Sequence, residues 1–181
     1  TTGLTLNGDA AQVGNVLRVT PSTGSQAGSA FSTDQISLTS NASFSTAFSF
    51  RFSNPGGASD GQVGADGLVF VVQTVSNNVG GIGGGIGYDG IANSVGIEFD
   101  SWNNGPIDDN NGNHVGIDVN GSVDSLVLVP VAGNFNDGQT RFAWVDYNGA
   151  STLLEVRLSE NNIRPDAALL SLNRDLAADL G

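Results

Sequence analysis

Glu98, Asp100, Asn104, Asp108, Asp109 and His114 fall within one stretch, VGIEFDSWNNGPIDDNNGNHVGIDV, from Val95 to Val119, and His114 is the chain's only histidine. Hard cations such as calcium take roughly six to eight oxygen ligands, and a transition ion accepts carboxylates together with an imidazole. Glu98 and Asp100 lie two apart in an apolar-flanked run, so on a strand both carboxylates leave the same face. Two acids that close repel each other unless a cation or a proton lies between them. An Asn/Asp turn cluster capping its own backbone accounts for any single acid of the loop. It does not account for the whole set, closed by the one histidine, so the stretch reads as a metal site built on a strand and its following loop.

Two other motifs fail on context. DDNNGN has the wrong alternation for a helix-loop-helix calcium site, its twelfth position is Val119 rather than Glu, and no helix flanks it. Gly85, Gly87 and Gly90 satisfy a dinucleotide-binding spacing, but no strand directly precedes them and no helix follows.

The elements that must hold such a site are strands. Phe44 to Phe52, FSTAFSFRF, puts Phe44, Phe48, Phe50 and Phe52 on one parity, with Ser49 and Arg51 on the other, which predicts a strand with one buried face. Leu68 to Val72 is a nearly continuous apolar run and predicts a central strand covered on both faces. Short strands are expected within Thr5–Val19, at Ala30-Phe31, from Ile36 to Leu38, and at Val95–Phe99, His114–Val119, Ser125–Val131, Thr140–Tyr147, Leu153–Leu158 and Leu169–Leu172. NNVGGIGGGIGYDG, Asn77 to Gly90, is too glycine-rich for a regular element, and only Asp175–Leu180 hints at a helical turn. The spacing argues for an all-β antiparallel sandwich.

Composition agrees. A chain of 181 residues suits one domain, residues 1–181, with a core large enough to need no staples. There is no Cys and no Met, and the formal charge is -12. Such a surface repels phosphate backbones, which excludes nucleic acid as a partner. No run approaches the roughly 18 apolar residues that span a bilayer, so membrane insertion is not expected. Hydrophobic residues at 39% separate the chain from disordered sequences despite 26 glycines.

EFDSWNNGPIDDNNGNHVGIDVN resembles the metal-binding signature of the legume-type (L-type) lectins. NVLRVTPSTGSQAGSAF, SFSTAFSFRF, GADGLVFVV and GGGIGY resemble further family segments in the family's order, so the likeness covers most of the chain. The Gly/Ser/Asn-rich style is more similar to bacterial members than to seed lectins. The resemblance implies a concanavalin A-like antiparallel β-sandwich, a jelly roll. Family members continue past the equivalent of Gly181, so the last strands and a specificity loop are expected to be lacking here.

Carried over residue by residue, the resemblance implies calcium and a neighbouring transition ion, usually manganese, bridged by Asp100 and Asp109. Glu98 and His114 would complete the transition-metal shell. Asn104 and the backbone carbonyl of Trp102 would complete the calcium shell. Spacing favours Asp109 over Asp108, being five residues after Asn104 and five before His114. The resemblance also implies a shallow, loop-built saccharide site beside the calcium. Asp66, after Ala65, would be the family's cis-peptide aspartate accepting bonds from sugar hydroxyls. Asn104 would donate its amide, Gly84 would offer a backbone N–H to a closely approaching ring, and Trp102 would stack on the apolar sugar face. Trp102 stands where Phe or Tyr is usual.

The implied function is metal-dependent glycan binding without catalysis. A glycoside hydrolase on the same sandwich is the alternative, but the E-x-D-x-x-E and E-x-D-x-E patterns of such enzymes need a last acid where this chain has Trp102 and Asn103. Retaining chemistry requires two carboxyls about 5–5.5 Å apart. An adhesive module with purely structural metals would show the same scaffold. Asn41-Ala-Ser and Asn120-Gly-Ser match a frequent glycosylation pattern. An extracellular or secreted setting and a homo-oligomer paired through flat sheets complete the expectations that follow from the resemblance.

Overall fold

The computed structural model describes residues 2–37, 41–56, 58–61 and 63–181. Twelve strands occur among them: β1 (Leu4–Gly8), β2 (Ala11–Val13), β3 (Val16–Arg18), β4 (Gly28–Ser32), β5 (Phe44–Phe50), β6 (Gly67–Gln73), β7 (Ser94–Asp100), β8 (His114–Val119), β9 (Val127–Pro130), β10 (Arg141–Asn148), β11 (Leu153–Ser159) and β12 (Leu170–Asn173). One short helix, α1 (Leu176–Leu180), closes the chain. Two four-stranded antiparallel sheets, ordered β12-β11-β10-β5 and β6-β7-β8-β9, face each other, and β1–β4 and β2–β3 form two ribbons.

Alternation builds the layer between the sheets. Val95, Ile97 and Phe99 of β7 and Val115 and Ile117 of β8 meet Ala143 and Val145 of β10 and Leu154 and Val156 of β11 in one cluster. Phe44, Phe48 and Phe50 of β5 add the aromatic margin, as their shared parity predicts. Phe99 meets Phe50 at a centroid distance of 4.6 Å and Phe48 edge-on at 5.9 Å. Such pairs contribute about 0.5–1.5 kcal/mol beyond their area. The opposite parity of β7 and β8 carries Glu98, Asp100, His114 and Asp118, all buried as well.

That second burial comes from loops. The glycine-rich segment after β6 folds back over the outer face, where Ile86, Tyr88 and Ile91 pack with Val69 and Val71. The Tyr88 hydroxyl accepts a 2.8 Å bond from Ser94 Oγ, and Gly96 on β7 leaves room for the ring. The prediction of a central position for the Leu68–Val72 strand is corrected here. β6 is the edge strand of its described sheet, and its outward valines are covered by the loop rather than by a mid-sheet location. Both faces are nonetheless apolar-packed, as the run requires. No strand forms at Ile36-Ser37, where Ile36 is exposed, and Leu38 lies outside the described residues. Among the described residues no helix is long and apolar enough to cross a membrane.

Candidate functional site

β7 ends and β8 begins at the same edge, where Asp100 pairs in register with His114 and Glu98 with Gly116. A Cβ on Gly116 would fall 2.4 Å from Glu98 Oε1, so glycine at that position makes room for the carboxylate. Ligand atoms of Glu98, Asp100 and His114 all lie within 4.8 Å of one another. His114 is fully buried, and Glu98 and Asp100 are 2% and 4% exposed.

The histidine's orientation follows from its partners. Nδ1 lies 3.0 Å from the Asn111 carbonyl oxygen, which can only accept, so Nδ1 carries the hydrogen. Nε2 then faces Glu98 Oε1 at 3.0 Å, the arrangement in which a ligating imidazole is oriented through its other nitrogen.

The loop between β7 and β8 is organised by short side-chain-to-backbone bonds. Trp102 N–H donates to Asp100 Oδ1 at 2.5 Å, and Gly105 N–H to Asn103 Oδ1 at 2.8 Å. A 3-10 turn, Gly105–Asp108, with Pro106 as its second residue, brings Asp108 back to accept from Asn104 N–H. Asp109 ends this turn in the left-handed conformation, φ 51, and is exposed. Asp108 is 3% exposed and interacts electrostatically with His114 and Glu98. Asp109, which spacing favours, is exposed here, while Asp108 is buried beside Glu98 and His114.

Electrostatics show what this cluster lacks. Burial pushes Asp100 up to about 8, with the Glu98 and Asp108 charges adding to it. Asp108 is raised by burial too. Burial alone lowers His114, but its bond to Glu98 and the nearby carboxylate charges outweigh that and raise it. Among the described residues no arginine pairs with Glu98, Asp100 or Asp108; their only ion-pair partner is His114, on Glu98. Buried, mutually repelling carboxyls beside an imidazole are a donor set that suits a divalent ion.

A further layer was not singled out in the sequence. Ser125 Oγ lies 2.7 Å from Glu98 Oε1 and 2.6 Å from Asp118 Oδ1. One hydroxyl hydrogen serves one of these contacts, so the other needs a proton on a carboxyl. Asp118, raised by burial and by the Glu98 charge, is the group that holds it. The parity of HVGIDV places Asp118 on the same face of β8 as His114, and that signal was present in the sequence.

The residues expected around a sugar converge on the same loops. The Ala65–Asp66 peptide is cis. Asp66 O accepts from Ser101 N–H at 2.9 Å, which ties it to the end of β7. Burial raises the half-buried Asp66 carboxyl. Gly84, held by the Tyr88-anchored loop, approaches Asn104 so closely that a Cβ would lie 2.8 Å from Asn104 Nδ2. Trp102 is half-buried. Asp66, Gly84, Trp102 and Asn104 all line one broad open cavity of about 2630 Å³, which also extends past Phe48 and Phe70.

The family described as the legume lectin domain matches residues 1–180. The L-type lectin-domain containing receptor kinase VIII.1 of Arabidopsis thaliana is 36% identical over 140 residues, 74% of this chain and 19% of that protein. The chain thus spans about a fifth of that relative's length. The galactose-binding lectin of Arachis hypogaea is 36% identical over 127 residues, 67% of this chain and 44% of the lectin. The crystal structure of basic winged bean lectin with Tn-antigen has a TM-score of 0.77 at 26% identity, covering 100% of this chain and 78% of that one. The fold is the concanavalin A-like β-sandwich, and the chain belongs to the legume lectin domain family.

Proposed function

We propose that this domain binds glycans, without catalysis, at the cleft formed by Asp66, Gly84, Trp102 and Asn104. The observation that carries the reading is the contact of Gly84 with the Asn104 amide, two segments 20 residues apart meeting beside a buried acid–histidine cluster. There a carboxylate acceptor, an amide donor and an aromatic face surround one opening, the combination that suits a polyol ring. The names of the peanut and winged bean proteins support galactose and the Tn-antigen as first probes.

Two divalent ions fit the donor set. Glu98, Asp100 and His114 suit a transition ion such as manganese, and Asp100, Asp108, Asn104 and the Trp102 carbonyl suit calcium. Asp108, buried beside Glu98 and His114, would help to hold the ions in this reading, with exposed Asp109, which spacing favours, as the competing ligand. The ions would neutralise the buried acids and hold the loop that presents Asn104. The family supports an extracellular or secreted setting and pairing into a homo-oligomer, and the composition supports a bacterial source, although the relatives named above are from plants.

Asp66→Ala and Asn104→Ala test the site. Each is expected to abolish glycan binding while the thermal transition of the metal-loaded protein persists. Retained affinity in both variants would remove the binding site from this cleft.

A further inference from the structure

Asp60 lies outside every motif discussed so far, in the loop between β5 and β6 that leads to Asp66. Its Oδ2 accepts a 2.9 Å hydrogen bond from Asn103 N–H. The same oxygen lies 2.5 Å from where a Cβ on Gly112 would sit, and that Cβ would also fall 3.2 Å from Asn103 N. Asn103 and Gly112 belong to the outgoing and returning limbs of the β7–β8 loop. The two limbs therefore touch at a waist, and Asp60 from a separate loop sits on it. Asn104 follows one side of the waist, and Asn113 with His114 follows the other.

The Asp60 loop is itself braced. Ser59 bridges Val63, Gly64 N–H donates to Ala58 O at 3.0 Å, and Asn136 Nδ2 donates to Gly64 O at 3.4 Å. Its far end, Asp66, is stitched to Ser101. Among the described residues of this loop, Asp66 O is bonded to Ser101 N–H and the Asp60 carboxylate to Asn103 N–H.

We infer that Asp60 is a positioning residue that couples the order of the metal loop to the placement of Asp66. A closed waist presents the Asn103 N–H, with Gly112 alongside it, as a seat for the carboxylate. With the seat occupied, the loop is held both at Asp60 and at Asp66, and the Asp66 carboxyl keeps its place in the cavity that Asn104 also lines. With the waist open, the seat of Asp60 on Asn103 N–H is lost while the Asp66–Ser101 bond stays. Asp60 touches neither sugar nor ion in this scheme, and it acts through the loop that carries Asp66. The inference rests on the glycan-binding reading for its affinity readout alone.

Hydrogen–deuterium exchange on the full chain, with calcium and manganese and then with chelator, tests the coupling without any glycan. In the native protein metal is expected to protect both the 100–114 loop and the 58–66 segment. In Asp60→Ala the 100–114 loop is expected to keep its metal-induced protection while 58–66 loses it. Asp60→Asn, which keeps an acceptor oxygen, is expected to restore most of the protection. Glycan affinity of Asp60→Ala is expected to fall about tenfold, the scale of one hydrogen bond to a charged acceptor, with metal affinity changed less than about threefold. Gly112→Ala, which pushes the carboxylate off its seat from the other side, is expected to reproduce the loss, and it carries the test if Asp60→Ala does not fold. Equal protection of 58–66 in all variants would overturn the coupling. Absence of glycan binding in the native protein would instead overturn the functional reading and leave the exchange result standing.

Discussion

Gly84 Cα and the Asn104 side-chain amide are in such contact that a single added methyl would lie 2.8 Å from Asn104 Nδ2. That approach joins the glycine-rich loop over β6 and β7 to the β7–β8 loop, and it places the Gly84 backbone beside the Asn104 amide. A side chain on residue 84 has to displace the amide or the loop.

Gly84→Ala is therefore expected to weaken glycan binding by about tenfold or more, since overpacking at a tight contact costs about 1–3 kcal/mol. Transition-metal affinity is expected to be unchanged, because neither Glu98, Asp100 nor His114 meets the new methyl, whereas calcium, which Asn104 would help to hold, is expected to bind more weakly. Titration calorimetry with sugar and, separately, with manganese and with calcium checks each part. Unchanged sugar affinity would show that ligand does not use this edge.

Asp108 and Asp109 separate by burial. Asp108→Asn is expected to lower calcium affinity by at least about tenfold, because it removes a charge buried against His114 and Glu98. Asp109→Asn changes an exposed group and is expected to alter it by less than about threefold. Terbium luminescence sensitised by Trp102 reports the site directly in both variants. The reverse ranking would favour Asp109 as the ligand.

The pH dependence has a fixed sign. Asp100 rises from an ordinary 3.8 to about 8 in the folded chain, chiefly through burial, and His114 is raised as well. Both groups bind protons more tightly when folded, so in the metal-free protein their stabilisation is full at low pH. For Asp100 it declines from about pH 4 until pH passes about 8, and for His114 it declines as pH rises through the histidine range above 6.5. Ions that displace those protons stabilise the protein more as pH rises. The thermal midpoint with chelator is expected to fall from pH 5 to 8, and the increment on adding calcium and manganese to grow over that range. Differential scanning calorimetry at several pH values checks this. A metal increment that shrinks with rising pH would contradict the protonated cluster.

Ser125→Ala removes the hydroxyl between Glu98 and Asp118, leaving two buried carboxyls at one apolar wall. Transition-metal affinity is expected to fall about 10–100-fold, the usual effect of losing a group that orients a ligand. Atomic absorption on dialysed protein measures it, and full occupancy in the variant would assign Ser125 no part in the site.

The sequence made the strands legible where alternation is clean. FSTAFSFRF and HVGIDV each show a period of two, and β5 and β8 follow them closely. VGIEFDSWNNGPIDDNNGNH marks a candidate metal site because it crowds acids and the one histidine between two apolar runs, and Glu98, Asp100 and His114 do converge. The central placement of LVFVV failed for a physical reason. A strand reads as apolar on both faces whether a second sheet or a folded-back loop covers it, and here Ile86, Tyr88 and Ile91 do the covering. Spacing and burial favour different members of the Asp108–Asp109 pair, because a 3-10 turn advances by three residues per turn and counting positions does not reveal which of two adjacent acids it buries. Asp60 was silent for a similar reason, as its partners Asn103 and Gly112 meet only in three dimensions.

The central claim is glycan binding that depends on the metal loop, and a glycan array tests it most directly. The protein is applied with calcium and manganese, and again after chelation. The expected result is binding to a restricted set of saccharides that disappears with the ions and returns on their addition. Binding that is unaffected by chelation would contradict the metal-ordered site, and absence of binding in both conditions would contradict the assignment of glycan recognition to this domain.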